Sequence, residues 1–374
     1  MKSRGVDASG RTGDRGGKIL ITGATGSIGK RIVRDCLLAG DRSLVILARG
    51  KGRLSASDRL HRDLAAAGLD GAFESRLEVV EGDVTEPWLG LDEGTIARLA
   101  EDVGTIYHLA ALTSLKRDDQ RCHFVNVRGV EEVLRLAWRF RETGGFERLF
   151  HFSTAYVSGS LRAAHAMEDE WVETPEHANP YEASKWASER LVRQAGAAGL
   201  PFTIFRPSIV VGDSVTGEVE RFNVIYPFLK LYAHGLISSL PVASGGTINL
   251  VPIDFVSKAV DAIARRGDTV GKTYHLVSDC PPSIETLLAV KRSEFPSMPG
   301  VELLDPADGP SLGLDNFAYR LVEPYLSYLN SRLTFDTSNT REALNGTDVA
   351  LPQTDHDFLA RIGRYAVERG YLIA

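Results

Sequence analysis

The chain has 374 residues, 43% hydrophobic and 25% charged, with a net charge of −6. This is an ordinary globular composition, too apolar for disorder and too acidic to be drawn to nucleic acid by charge. A membrane span needs ~20 apolar residues and a secretory signal an apolar core of ~7–15, and charges break every such window. A cytoplasmic protein without integral membrane contact is therefore expected. Cys36, Cys122 and Cys280 are far apart and show no CxxC spacing. They read as reduced thiols in a reducing compartment, not as a disulfide frame or a metal site.

Residues 1–17, rich in Gly, Arg, Ser and Asp, are expected to form a disordered tail. A regular alternation follows. Short apolar runs predict strands at Lys18–Thr22, Leu44–Ala48, Leu77–Glu81, Thr105–Leu109, Leu149–Ser153 and Phe202–Phe205. Amphipathic stretches between them predict helices at Ser27–Ala39, Ser57–Ala67, Thr95–Asp102, Val125–Arg141 and Tyr181–Gln194. Strands apolar on both faces, alternating with helices, predict an α/β fold with a Rossmann-type, doubly wound parallel sheet over residues 18–212. Such sheets bind ligands at the carboxyl ends of their strands. After Gly212 the rhythm changes, with helical stretches at Phe222–His234, Gly313–Asn330 and His356–Val367. Residues 213–374 are read as an interleaved, mostly helical substrate-binding part, with 247–277 returning to the sheet.

The run Thr22-Gly23-Ala24-Thr25-Gly26-Ser27-Ile28-Gly29 leaves a strand and opens a helix. Its glycines allow a tight turn, so that free amides and the helix dipole can face a pyrophosphate. About 20 residues further on, an acid would bind a ribose 2′-hydroxyl. Arg49 stands there instead, with Lys51 and Arg53 close behind. Guanidinium and ammonium groups at that place suit a 2′-phosphate, which selects NADP(H) over NAD; the bland alternative is a solvated basic loop. Asp83 and Val84 follow the third strand, where the carboxylate could accept the adenine amino group. Leu109, Ala110 and Ala111 follow the fourth, where small side chains let backbone approach the dinucleotide. Pro207, Ser208 and Ile209 follow the sixth, with backbone groups suited to a nicotinamide carboxamide.

Tyr181 and Lys185 stand four apart on a predicted helix and share one face. A tyrosine has a pKa of ~10, and acid–base work near neutrality wants ~7. A neighbouring ammonium at an effective dielectric of ~20 supplies about that difference. Thr154, at the end of the fifth strand, can bind a substrate carbonyl beside Tyr181. Asn126 is placed to prop the active-site helix or a water. Tyr226 and Lys230 repeat the spacing, but Pro227 follows the tyrosine and no sheet strand precedes it, so that pair is read as a decoy.

In this order and spacing, TGATGSIG, GDV, HLAA, STA, YEASK and RPSIVVG resemble an extended short-chain dehydrogenase/reductase. The phrases VEGDVTEPWLGL (Val80–Leu91), VNVRGVEEVLRL (Val125–Leu136), STAYV, VPIDFV and FDTSNTREAL (Phe335–Leu344) resemble the branch of fatty acyl-CoA reductases and carrier-protein thioester reductases. The resemblance implies Thr154, Tyr181 and Lys185 as the catalytic set and Arg49 as reader of the NADP phosphate. It implies NADPH-dependent reduction of an acyl thioester, on coenzyme A or a carrier protein, to an aldehyde and onward to an alcohol. The other enzyme class open to this fold is reduction or oxidation of a free carbonyl or alcohol. Ser27-Ile28 stands where the branch has an aromatic-aliphatic pair, and Leu112–Arg121 departs from it. No adenylation or carrier segment is read ahead of the sheet, so a carrier is expected as a separate protein. Arg135, Arg139, Arg141 and Arg148 could dock an acidic carrier, but read first as a solvated helix face.

Overall fold

The computed structural model describes residues 17–373 except 41, 67, 70–72, 116–119, 160–164, 244 and 306–315. The expected tail lies outside the described residues apart from Gly17. The first half runs β1 Lys18–Thr22, α1 Ser27–Ala39, β2 Leu44–Ala48, α2 Ala56–Ala66, β3 Leu77–Glu81, α3 Glu93–Asp102, β4 Val103–His108, α4 Arg121–Glu142 and β5 Arg148–Phe152. A short β6 at His165–Ala166 precedes α5 Pro180–Ala197, β7 Phe202–Pro207 and β8 Ile209–Val211. The remainder comprises α6 Ile225–Ala233, β9 Ser239–Pro241, β10 Leu250–Pro252, α7 Ile253–Ala264, β11 Thr273–Leu276, α8 Ile284–Glu294 and β12 Glu302–Leu304. It closes with α9 Asn316–Leu329, β13 Thr334–Phe335, α10 Ser338–Leu344 and α11 His356–Glu368.

Seven strands form one sheet in the order β11-β7-β5-β4-β1-β2-β3. Every neighbouring pair is parallel. Alternation along each strand feeds two cores. Ile19 and Ile21 of β1 pack with Ile46, Phe150 and Phe205 on one face, against α1 and α7. Leu20 packs with Val45, Ile106, Leu149 and Ile204 on the other, against α3, α4 and α5. A third core joins α6, α8, α9 and α11 in the C-terminal half. The chain winds one way from β1 to β3 and the other way from β4, so the crevice where direction reverses opens between the ends of β1 and β4.

Helix α5 begins where the sequence supplies a capping box. The Asn179 side chain accepts from the Glu182 amide at 3.0 Å, Pro180 occupies the first turn, and Glu182 reaches back to the Ala178 amide at 2.9 Å. No helix among the described residues is long and apolar enough to cross a membrane.

The four arginines do not form one surface. Arg148, at the start of β5, is buried, with its guanidinium given to the Ala264 and Arg266 carbonyls at 3.1 and 2.9 Å and to the Thr203 and Thr269 hydroxyls. Arg135 lies over the Trp88 ring, Arg139 pairs with Glu93 and Glu142, and Arg141 donates to the Gly199 carbonyl. Arg139 and Arg141 sit at the C-terminal end of α4, which leads into the amino end of β5 and so lies away from the crevice. Replacing Arg148 with leucine should therefore cost about 2 kcal/mol in denaturant melts, from the carbonyls left unpaired. Affinity for NADPH should not move.

Candidate active site

At the end of β1 the backbone turns through Gly23 at φ +77°, and a Cβ there would stand 2.5 Å from the Ala110 amide nitrogen. A Cβ on Gly29 would meet the Gly23 carbonyl at 2.3 Å. Gly26 differs: its Cβ position meets only the Gly23 carbonyl, at 3.3 Å, and is otherwise open. Gly26 caps α1 without a side-chain hydrogen bond, and the first turn holds no acid. The Ser27 hydroxyl is buried with no hydrogen-bond partner in the protein. Exposed helix amides, an open cradle and an orphaned hydroxyl fit a dinucleotide pyrophosphate. Thr25 and Ile28 flank this cradle, half-buried. Thr22 is fully buried, and its hydroxyl is spent on His108 Nδ1 at 2.8 Å and the Ala110 amide at 3.3 Å. It shapes the loop from behind and does not face the cradle.

At the corner where the adenosine end is expected, the side chains partner one another. Arg49 is exposed at the end of β2, and its guanidinium pairs with Asp83 at 3.0 Å. Asp83 also accepts from the Thr85 amide and hydroxyl. Its carboxylate thus bonds to Arg49 rather than standing free for an adenine amine. Burial of Asp83 opposes these bonds, and the net effect holds its carboxyl below the usual range. Arg59, on the first turns of α2, donates to the Arg49 carbonyl. It brings a second guanidinium to this corner, a residue the sequence reading passed over. Lys51 and Arg53 stand exposed in the adjoining turn. Val84 turns its side chain into the core, so only its backbone borders the crevice.

Leu109, Ala110 and Ala111 leave β4 as expected, with the Leu109 amide bonded to the Thr22 carbonyl at 3.1 Å. At the other wall, the Ser208 and Ile209 amides are spent on the Leu276 and Asn249 carbonyls at 3.1 and 3.2 Å. They cannot donate to a carboxamide. The Ser208 hydroxyl, buried without a protein partner, is the donor left at that position, and the Pro207 carbonyl accepts from Thr154 at 3.4 Å.

Tyr181 sits on the first turn of α5, and the hydroxyls of Thr154 and Thr113 lie beside its phenol. Thr113 lies in the stretch whose sequence followed no motif, three residues beyond Ala110. Burial pushes the phenol up, Glu182 and Cys122 add to this, and the two threonines oppose it. The downward pull expected from Lys185 does not appear in the protein alone. Lys185 is buried one helical turn on, and its ammonium donates to the Phe152 carbonyl at the end of β5. Burial lowers it to about 8, against an upward pull from Glu189. His108 and His151 stack at 5.8 Å beside it, and burial keeps both rings neutral. Asn126 is a brace: it holds both backbone groups of Leu112, at 2.7 and 3.1 Å, and reaches Ser184 at 2.8 Å. The second tyrosine–lysine pair stays apart from all this. Tyr226 is buried against the Gly212 amide, and Lys230 lies over the Tyr371 ring.

A glycine loop at the switch point of a parallel sheet, with a tyrosine and lysine one turn apart beside a strand-end threonine, is the arrangement of the extended short-chain dehydrogenases and reductases. The chain belongs to the male sterility protein family, whose pattern matches residues 21–260. Among solved structures it is similar to the terminal R domain from the myxalamid PKS-NRPS biosynthetic pathway. That match has 29% identity and a TM-score of 0.84 and covers 99% of this chain and 97% of the other. It is 28% identical to a linear gramicidin synthase of Brevibacillus parabrevis over 94% of its own length. It is 32% identical to the L-2-aminoadipate reductase of Penicillium chrysogenum, in its large subunit, over 70%. The chain spans only 7% and 19% of the length of these two relatives.

The roles of two loop glycines can be separated. Gly23→Ala should destabilise the fold by roughly 2 kcal/mol or more, since strain and clash meet there. Gly26→Ala should cost less than about 1 kcal/mol yet weaken NADPH binding at least tenfold, by filling the cradle. Calorimetric melts paired with NADPH titrations read both effects; equal affinity for the Gly26 variant and the parent would remove the cradle assignment.

Proposed function

We propose that the protein is an NADPH-dependent reductase of acyl thioesters, carried on coenzyme A or on a separate carrier protein. Thr154, Tyr181 and Lys185 are its catalytic residues. The observation that carries this reading is the Tyr181 phenol beside the Thr154 and Thr113 hydroxyls, one helical turn from the buried Lys185 ammonium, which donates to the Phe152 carbonyl at the end of β5. The kinds of protein it is similar to, a terminal R domain and an aminoadipate reductase, support thioester chemistry over a free ketone or sugar. Arg49, just past β2, and Arg59, on the first turns of α2 with its guanidinium on the Arg49 carbonyl, support a 2′-phosphate and so NADP(H). A cytoplasmic setting suits cysteines with no disulfide among them.

NADPH, when bound, supplies the hydride. The glycine loop and the helix amides of α1 would hold the pyrophosphate, and Ser208 would offer its hydroxyl to the far end. Thr154 and Thr113 fix the direction of the Tyr181 O–H. Burial keeps that phenol protonated, so its proton is present when negative charge develops on the thioester oxygen. Protonation gives a thiohemiacetal; its C–S bond then breaks, the hydroxyl proton is lost as the C=O bond reforms, and aldehyde and thiol leave. A second reduction gives the alcohol. The buried Lys185 ammonium favours each anionic state that Tyr181 or the substrate passes through.

The substrate side is read as residues 213–374. An apolar cavity of about 130 Å³ lies there between α6, α8, α9 and α11. Its wall includes Leu250, paired in register with Ile209, and Leu329, the neighbour of Tyr328. Tyr328 donates to Glu182 at 2.7 Å, right beside Tyr181. An apolar acyl group suits these surroundings.

Purified protein should consume NADPH with acyl-CoA or acyl-carrier substrates; turnover of free aldehydes alone would remove the thioester proposal. Tyr181→Phe should reduce turnover at least a thousandfold and leave NADPH affinity within twofold, on the order expected for a lost general acid. Lys185 is charged below about 8 and neutral above it. Turnover at saturating substrate should therefore fall as pH rises through that value, and a rate flat to pH 10 would contradict the role given to the ammonium.

A further inference from the structure

One buried charge pair lies behind the proposed catalytic lysine, outside the set just described. Glu189 stands one helical turn beyond Lys185 on α5 and is fully buried. Both its oxygens are taken: Arg206 donates to them at 2.6 and 3.1 Å, and Arg193 donates to one at 2.9 Å. Arg206, on β7, is itself 1% exposed. Its remaining arm reaches His275 Nε2 at 3.3 Å, while His275 Nδ1 lies 2.8 Å from the Asp336 carbonyl. A carbonyl only accepts, so Nδ1 must carry the ring hydrogen, and Nε2 is left to accept from Arg206. Burial keeps that imidazole neutral. The chain of partners therefore has one consistent set of proton positions.

We propose that Glu189 is a positioning residue, which keeps the Lys185 side chain cationic without capturing it in an ion pair. Two features carry this. Glu189 stands four residues beyond Lys185 on α5, so the two share a helix face, and it pulls the amine toward its charged form, whereas Tyr181, His108 and His151 are neutral. Of the pair, the glutamate end acts on Lys185, because it shares the helix, whereas Arg206 reaches it from the next strand. Meanwhile Arg206 and Arg193 saturate the carboxylate. Lys185 is thus left to donate to the Phe152 carbonyl at the crevice end of β5. A glutamate free of these arginines would draw the ammonium one turn back along α5, away from Tyr181.

The test compares the parent with E189Q and with the double variant E189Q/R206M. The single change leaves the Arg206 charge buried without its Glu189 counter-ion and is expected to lower the Tm; the double change removes both charges at similar volume and should fold. In the double variant the alkaline fall of kcat should move to lower pH by about one unit, with NADPH affinity within twofold of the parent. A folded double variant whose alkaline limb coincides with that of the parent would overturn the proposal and leave the pair a packing element. The kinetic arm rests on the thioester reductase reading, so a second readout stands apart from it. Titration of 15N-labelled lysine by NMR follows Lys185 directly, with K185M locating its signal. A shift in that titration without thioester turnover in the parent would sustain the role of Glu189 and sink the substrate assignment instead. An unchanged titration would sink the role of Glu189 whatever the enzyme reduces.

Discussion

The crevice exists because two strand ends touch through bare backbone. Gly23, leaving β1, approaches the Leu109–Ala110 peptide leaving β4 so closely that no side chain fits between them. The Leu109 amide and the Thr22 carbonyl bond across the same gap. Two consequences follow from this one contact. The glycine loop must turn outward over the sheet, which points the first amides of α1 at open space. The chain leaving β4 continues past Ala110, and three residues on its Thr113 hydroxyl comes to lie beside the Tyr181 phenol. The glycine loop and the surroundings of Tyr181 are thus set by the same meeting of strands.

Burial and charge compete at the reactive end. A phenol and an ammonium are both driven toward their neutral forms when water is removed, and Tyr181 and Lys185 are both buried. Left alone, the helix would hold a protonated phenol beside an uncharged amine, good at keeping a proton and poor at stabilising an oxyanion. Hydroxyls on the phenol and a carboxylate behind the ammonium push the other way. The balance leaves the proton on the phenol in the protein alone and the amine close to its switching point. In the protein alone, burial acts on Tyr181 and Lys185 more strongly than either acts on the other.

Much of the frame could be read from the chain because its signals are local. Apolar runs of five residues, amphipathic stretches and a glycine turn place β1–β5 and α1–α5 within a few residues of their observed ends. The misses share a non-local cause. Ser208 and Ile209 looked available until β8 paired with β10 and the chain before it lay against β11, which consumed their amides. Arg148 looked like surface because arginine usually is, but it starts a strand whose neighbours offer carbonyls and hydroxyls that only the fold assembles. Thr113 and Arg59 belong to no motif. Their position follows from strand exit and helix start, where hydroxyls and cations flanking each strand end are the signal that marks them.

The C-terminal half is bound to the sheet through polar groups that admit few alternatives. Tyr328 of α9 lies between Asn179 and Glu182, at 2.8 and 2.7 Å, and so fixes the first turn of the helix that bears Tyr181. At the sheet edge, buried Glu168 accepts from the His275 amide, the Asn339 amide and the Thr340 hydroxyl, which pins α10 against β11. The run FDTSNTREAL, set apart in the sequence by resemblance alone, supplies the last two of these donors and the carbonyl that fixes the His275 tautomer. Hydrophobic contact by itself would let the helical part slide or repack at little cost. Buried donors and acceptors that must each find one partner do not allow this, because every misplacement leaves a group unpaired. Helix α5 is held in this way at its first turn, by Tyr328 at Glu182, and at its middle, through Arg206 and His275 at Glu189. The part of the chain read as choosing the substrate is therefore also the part that holds Tyr181 in place.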